Sequence, residues 1–86
     1  MITVELFGVP RLRAGTGHVR LAASTLAGAL GELGQACPAL DGSVIQGDRV
    51  HPAYRLCLNG DCFVSDPETG LADGDVLLLL SADVGG

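Results

Sequence analysis

The sequence predicts an α+β domain in which one main helix covers one face of a mixed β-sheet of four to five strands. Three observations lead to this prediction. An alternating pattern opens the chain, a helical apolar pattern occupies residues 25–36, and an unbroken apolar run fills residues 76–80. An initial hairpin, then a helix, then further strands favour this layered architecture. Eighty-six residues suffice for one small domain with one modest core.

The N-terminal segment is predicted to form a β-hairpin. Ile2–Phe7 sends alternate side chains to opposite faces, which indicates a half-buried strand that starts at the beginning of the chain. Gly8-Val9-Pro10 is expected to break this strand, and residues 11–17 are expected to form a loop. His18–Leu21 is then predicted to be a second strand that pairs back with the first.

The main helix is predicted over Thr25–Ala36, with Ser24 as its expected N-cap and Pro38 ending it. Glycines inside this segment each cost about 1 kcal/mol relative to alanine, so the helix must be stabilised by tertiary packing. Its apolar side chains recur at spacings of three and four residues, as in an amphipathic helix: Leu26, Ala29, Leu30 and Leu33.

The middle of the chain is the least regular part. A short second helix is expected over residues 39–45, followed by a turn at Gly47-Asp48. Tyr54–Leu58 is predicted to be the next strand. Asn59-Gly60 is a strong hairpin signal, because both residue types tolerate a positive φ. Cys62–Val64 is the expected short return strand.

The last strand is predicted at Val76–Leu80, directly after a tight turn at Asp73-Gly74-Asp75. This order of elements suits a β-grasp, in which the last strand lies beside the first, deep in the sheet. The expected division is a β-grasp domain at residues 1–81 and a flexible tail at residues 82–86 that ends in Gly85-Gly86.

An unbroken apolar strand cannot bury all of its side chains against one helix, because successive side chains point to opposite faces. Leu77 and Leu79 are expected to face the helix. The opposite face is then expected to carry an exposed apolar patch that binds a partner, unless the second short helix or a loop covers it. The residues of this predicted patch are Phe7, Phe63, Leu78 and Leu80.

The charge composition excludes several classes of partner. The net charge is −5, from ten acidic residues and five arginines, and the chain has no lysine. Nucleic acids and anionic membranes both attract basic proteins, so neither is an expected partner. No apolar run approaches the length of a membrane span, and the N-terminus shows no signal-peptide pattern. A cytoplasmic location is therefore expected.

No side-chain grouping indicates catalysis or metal binding. His18 and His51 lack triad companions, and the acids of Asp73-Gly74-Asp75 are interpreted as turn formers rather than as a cation site. The three cysteines lack the spacing of a metal site, and reduced thiols that are partly buried are expected: Cys37, Cys57 and Cys62.

The chain resembles the ubiquitin-like sulfur-carrier proteins of the MoaD/ThiS type over nearly its whole length. The combination of an acidic turn, an apolar strand and a terminal glycine pair within a few residues is the specific part of this resemblance. The segments that carry it are Ile2–Gly8 with Leu12-Arg13, Leu58-Asn59-Gly60, Leu71–Val76 and Gly85-Gly86.

The resemblance implies that the protein is a carrier and substrate rather than an enzyme, or the small subunit of a sulfur-transfer enzyme such as molybdopterin synthase. An activating enzyme that uses ATP and Mg²⁺ would adenylate the carboxylate of Gly86. A sulfur donor of the rhodanese or cysteine desulfurase type would convert the adenylate to a thiocarboxylate, which would deliver sulfur to an acceptor synthase. The carrier itself would bind no cofactor and no metal.

The tail residues fit this chemistry. Gly85 and Gly86 have no Cβ, so their backbone can enter a narrow channel that excludes water from the acyl adenylate. Val84 and Asp83 would thread behind them, and the carboxylate of Asp83 could meet a basic groove in a partner.

Two other functions remain open: a ubiquitin-like modifier that is joined to target lysines through Gly86, and a β-grasp interaction module with an inert tail. The acceptor pathway is open as well. The chain length and the segment 38–53 favour a molybdopterin-type carrier, but Ser81-Ala82 stands where that group usually has a proline pair. Thiamine, cysteine and specialised-metabolite pathways therefore remain alternatives.

Overall fold

The structure, a computed structural model, describes residues 1–82. This part of the chain contains two α-helices, one 3₁₀ helix and seven strands. In chain order they are β1 (Ile2–Leu6), α1 (Gly8–Ala14), β2 (His18–Leu21), α2 (Leu26–Ala36), the 3₁₀ helix (Pro38–Leu40), β3 (Ile45–Gln46), β4 (Arg49–Val50), β5 (Tyr54–Leu58), β6 (Cys62–Val64) and β7 (Val76–Ser81).

Five strands form one mixed sheet in the order β2-β1-β7-β5-β6, and β3 and β4 form a separate antiparallel pair. β7 runs parallel to β1 and antiparallel to β5, whereas the two outer pairs are antiparallel hairpins. The expected α+β fold with the last strand beside the first is therefore confirmed. No helix in residues 1–82 is long and apolar enough to cross a membrane.

The core lies between α2 and the inner face of the sheet. Alternate side chains of β1 and β7 point into it, and Leu77 and Leu79 are almost completely buried, as expected. The apolar stripe of α2 covers them from the other side, and among residues 1–82 no polar or charged residue is buried. The buried leucine, isoleucine and valine side chains are Ile2, Val4, Leu6, Leu21, Leu26, Leu30, Leu33, Leu40, Val44, Ile45, Leu56, Leu71, Leu77 and Leu79.

The segment after β1 is helical, so the prediction of a break at Gly8-Val9-Pro10 followed by a loop was wrong. β1 ends at Leu6, and Phe7 is the extended N-cap of α1. Pro10 lies in the first turn of α1, where its missing N–H leaves no hydrogen bond unmade, and it is buried. Gly15, with φ of 75°, ends the helix in the left-handed conformation that glycine adopts most readily.

Two further expectations needed correction. The short helix predicted over residues 39–45 is a single 3₁₀ turn at Pro38–Leu40, because Gly42 has φ of 87°, which a right-handed helix cannot accommodate. The turn expected at Gly47-Asp48 is present and joins β3 to β4, a hairpin that the sequence did not predict. Thr25 rather than Ser24 caps α2, since its side chain accepts a hydrogen bond from the backbone N–H of Gly28 at 3.1 Å.

Candidate functional site: the tail root and the outer sheet face

The strand that precedes the predicted tail, β7, is the central strand of the sheet. β7 is held by β1 on one side and by β5 on the other, and its last residue, Ser81, lies opposite Tyr54. The N–H of Ala82 donates a hydrogen bond to the carbonyl of Ala53 at 2.8 Å, so the ladder continues one residue beyond the strand. The predicted tail residues, Asp83, Val84, Gly85 and Gly86, lie outside the described residues, and their roles stay predictions.

The start of β7 is fixed by side chains of the two turns beside it. The carboxylate of Asp75 accepts hydrogen bonds from the N–H of Ala72 at 2.8 Å and from the side-chain amide of Asn59 at 3.1 Å. The Asn59 side-chain carbonyl accepts from the N–H of Val76 at 2.8 Å. The Ala72 hydrogen bond and then that of Asn59 lower the pKa of Asp75, because they favour its ionised form.

The other acid of this turn also has a structural partner. The carboxylate of Asp73 forms an ion pair with the N-terminal ammonium of Met1, and the hydrogen bond within this pair lowers the pKa of Asp73. Gly74 between the two acids has φ of 89°, as a tight turn requires. Within residues 1–82 no group of three or more potential metal ligands comes together. The hydrogen bond from Ala72 to Asp75 and the ion pair between Asp73 and Met1 stabilise the turn.

The outer face of the sheet carries the predicted patch. Leu78 lies between Glu5 of β1 and Cys57 of β5, and Cys57 lies opposite Phe63 of β6. Phe63 lies on the edge strand β6 and is 56% exposed. Leu78 lies on the central strand, with a neighbouring strand on each side, and is therefore half-buried. These side chains thus form one row across the sheet, on the face that α2 does not cover.

A second row lies one step nearer to the tail. Leu80 lies opposite Arg55 of β5 and is half-buried. Phe7 donates its backbone N–H to the carbonyl of Leu79 at 3.0 Å, which places it beside the end of β7, and its side chain is 41% exposed. The structure therefore brings all four predicted patch residues to the same face. They lie next to Ser81 and Ala82, the residues from which the predicted tail continues and which we call the tail root.

The second short helix does not cover this patch. Its last residue, Leu40, is completely buried in the core with the side chains of α2. Of the four patch residues, the two aromatic side chains are exposed and the two leucines form a half-buried floor between them.

Arg55 is a member of this face that the sequence analysis missed. Its guanidinium carbon lies 4.4 Å from the centre of the Phe63 ring, which is the geometry of a cation–π contact. The alternation of β5 could have revealed it, because Leu56 points into the core and its neighbours must point outward. The patch is therefore apolar, with the positive charge of Arg55 on its β5 side and the negative charge of Glu5 on its β1 side.

The cysteines and histidines form no catalytic group among the described residues. All three thiols are unpaired: Cys37 is buried, Cys57 is half-buried on the outer face and Cys62 is exposed. Burial raises the pKa of the Cys37 thiol. His51 accepts a hydrogen bond from the N–H of Ala53 at 2.9 Å and packs edge-on against Tyr54, so it supports the loop beneath the tail root.

Comparisons with known proteins agree with this architecture. No protein-family model matches the chain, and no curated protein matches it by sequence. SAMP1 from Haloferax volcanii has a similar structure, with a TM-score of 0.81 and 28% sequence identity over 99% of this chain and 98% of that chain.

Two more distant structures show the same fold. One is the BexX/CysO complex of Amycolatopsis orientalis, with a TM-score of 0.82 and 21% identity over 100% of both chains. The other is a Pyrococcus furiosus protein assigned as molybdopterin converting factor, subunit 1, with a TM-score of 0.73 and 21% identity over 93% of this chain and 94% of that one. The chain has the ubiquitin-like β-grasp fold, and its predicted resemblance to the ubiquitin-like sulfur-carrier proteins is confirmed.

Proposed function

We propose that the protein is a sulfur carrier whose functional group is the C-terminal carboxylate of Gly86. One observation carries this proposal. The central strand of the sheet ends at Ser81, beside an outer face with two exposed aromatic side chains, and Gly85-Gly86 lies a few residues further along the chain. A rigid body with a docking face and a side-chain-free end suits a substrate that a partner enzyme must grip and modify.

The chemistry takes place in the partner. A carboxylate is a poor electrophile, so an activating enzyme first joins it to the α-phosphate of ATP and releases pyrophosphate. The terminal sulfur of a persulfide on a rhodanese-type or cysteine desulfurase-type donor then attacks the acyl carbon and displaces AMP, which gives an acyl disulfide. A second thiol reduces this disulfide and leaves a thiocarboxylate on Gly86. The absence of side chains at Gly85 and Gly86 allows the acyl carbon to enter a closed site that protects the adenylate from water.

The length of the chain after β7 is compatible with a reaction inside the partner enzyme. Four residue steps separate Ala82 from Gly86, which corresponds to a reach of about 13 Å in an extended chain at roughly 3.3 Å per step. The folded body can therefore dock at the mouth of an active site while the carboxylate reacts inside it. The outer face would supply the contact, with Phe7 and Phe63 as aromatic anchors and Leu78 and Leu80 as the floor between them.

The acceptor is proposed to be a biosynthetic synthase of the molybdopterin type. The segment 38–53, which contains the β3–β4 hairpin, distinguishes this chain from shorter carriers. Thiamine, cysteine and specialised-metabolite synthases are the alternatives. We place the reaction in the cytoplasm, where the thiols of Cys57 and Cys62 would stay reduced.

Intact-protein mass spectrometry tests the proposal. The chain is incubated with the activating enzyme of the same genome, ATP, Mg²⁺, a sulfur donor and a thiol reductant. The expected product has gained the mass difference between sulfur and oxygen, confined to the C-terminal peptide. The control is the chain without Gly86, which should stay unmodified. The activating enzyme must first be shown to adenylate another carrier protein. If that enzyme then leaves the mass of the full chain unchanged, the proposal is contradicted.

A protein modifier is the second candidate, and the likeness to SAMP1 favours it, since that protein is the small archaeal modifier protein 1 of Haloferax volcanii. The same adenylate would then be attacked by a lysine of a target protein. Because the chain has no lysine, its own only primary amine is that of Met1, which is paired with Asp73. Isopeptide adducts at target lysines, each carrying a single copy, would distinguish this function.

A further inference from the structure

Helix α1 exposes an unusual amount of apolar surface. Among residues 1–82, five large apolar side chains are exposed, and three of them lie on α1 or its N-cap: Phe7, Val9 and Leu12. Val9 is 44% exposed and Leu12 is 81% exposed. They are three positions apart, so they share the helix face opposite the buried Pro10. A single exposed leucine is ordinary, but a contiguous group of this kind marks a binding surface.

The charge of α1 is opposite to that of the whole chain. Arg11 and Arg13 flank Leu12, and α1 contains no acidic residue, although the net charge of the chain is −5. The Arg11 side chain lies across the backbone of Gly17, where an added Cβ would be only 3.1 Å from its guanidinium carbon. Gly17 thus leaves room for this arginine to lie against the loop after α1.

α1 also lies at the end of the sheet where the tail begins. β1 and β7 are parallel, so the carboxyl end of β1, from which α1 starts, lies beside the carboxyl end of β7. Phe7 is both the N-cap of α1 and a member of the outer-face patch. A partner that covers the patch and draws in the tail therefore meets α1 at the same time.

We propose that α1 is a second docking element, which inserts Leu12 into an apolar pocket with an acidic rim on the activating enzyme. This inference rests on the proposed function and adds the chemistry of the partner surface. The apolar face of Val9 and Leu12 fits the pocket, and Arg11 and Arg13 pair with its acidic rim. Local positive charge near the tail root attracts this rim, although the rest of the chain is acidic.

The test compares Leu12→Gln and the double variant Arg11→Gln, Arg13→Gln with the original chain. Glutamine forms helices about as well as leucine and arginine do, so α1 should persist, and circular dichroism checks this. Arg49→Gln, on the β3–β4 hairpin, is the matched control for loss of one positive charge. The measurements are pyrophosphate exchange as a function of carrier concentration, and affinity for the activating enzyme without ATP.

The expected result for Leu12→Gln is a KM for the carrier raised about fivefold or more, with kcat unchanged, because the carboxylate still reaches the active site once bound. The double arginine variant should raise KM at low salt and show less dependence on ionic strength than the original chain. Arg49→Gln should stay within about twofold of the original.

Three outcomes would overturn the proposal. The first is a KM and affinity unchanged in both variants. The second is an equal loss in Arg49→Gln, which would indicate a general charge effect. The third is a change of oligomeric state in Leu12→Gln, which would make α1 a contact between copies of this chain. A different outcome would separate the two proposals. If the affinity for the activating enzyme depends on Leu12 but the original chain gives no pyrophosphate exchange, the docking surface is supported and the proposed adenylation is contradicted.

Discussion

Leu79 and Leu80 are neighbours in β7 with opposite environments, so a pair of substitutions tests the register of the strand and the docking face together. Leu79 is completely buried, whereas Leu80 lies half-buried on the outer face opposite Arg55. The same change to aspartate should therefore have a different consequence at each position.

Leu79→Asp should unfold the domain. It removes the burial of a leucine side chain, worth about 1.5–3 kcal/mol, and places a carboxylate in a core that holds no buried polar or charged residue among residues 1–82. An unpaired polar group in such a site costs several kcal/mol more, roughly 2–7 kcal/mol. A domain of 86 residues has a free energy of unfolding on the order of 4–13 kcal/mol in total.

Leu80→Asp should leave the domain folded. The lost contacts of a half-buried leucine cost about 1 kcal/mol, and an ion pair with the cross-strand Arg55 would offset roughly 0.2–1 kcal/mol of this. Docking should suffer far more, because a charge would lie in the middle of an apolar contact. We expect a loss of about 2 kcal/mol in affinity for the activating enzyme, which is a factor of about 30.

Thermal and urea melts of both variants measure the first effect, and equilibrium binding of the Leu80 variant measures the second. Leu80→Asn, which has nearly the same shape as the aspartate, separates the effect of charge from that of lost packing. If Leu80→Asp unfolds the chain while Leu79→Asp is benign, the strand register is wrong. If Leu80→Asp is folded and binds normally, the outer face is not the docking site.

Three further predictions follow from the structure. Asp75→Asn should lower stability at neutral pH and weaken its acid dependence in pH-dependent melts: the lowered pKa of Asp75 contributes stability that is present above the ordinary value of about 3.9 and is lost as pH falls through the folded-state value. If the stability of Asp75→Asn falls with decreasing pH as steeply as that of the original chain, Asp75 does not have this role. Thr25→Ala should cost about 1 kcal/mol in urea unfolding through the lost N-cap, whereas Ser24→Ala should cost little. Replacing all three cysteines by alanine or serine should leave sulfur loading intact in a folded variant; a folded variant that accepts no sulfur would indicate a cysteine relay.

The sequence was sufficient to predict the sheet around the tail root. Alternation in β1 and the five consecutive apolar residues from Val76 require one set of side chains to face the core and one to face outward. The turn at Asp73-Gly74-Asp75 marks where β7 begins. For this reason the register of Leu79 and Leu80 could be predicted from the pattern alone.

Other elements left no clear signal. Proline occurs both in loops and in first helical turns, so Pro10 could not distinguish them, and α1 was missed. β3 and β4 have two residues each, which is too short to show a periodic pattern. Ser24 and Thr25 are both good N-caps, and only the hydrogen bond to Gly28 identifies the second. The Arg55–Phe63 contact depends on strand pairing, which the sequence does not give directly.

Pyrophosphate exchange with the chain lacking Gly86 tests the central claim most directly, because this change keeps every described residue and moves the terminal carboxylate back by one residue, to Gly85. The original chain and the shortened chain share every described contact, and both should bind the activating enzyme and give the same circular dichroism spectrum. Exchange should occur with the original chain and be abolished without Gly86. Normal exchange by the shortened chain would contradict the role of the Gly86 carboxylate.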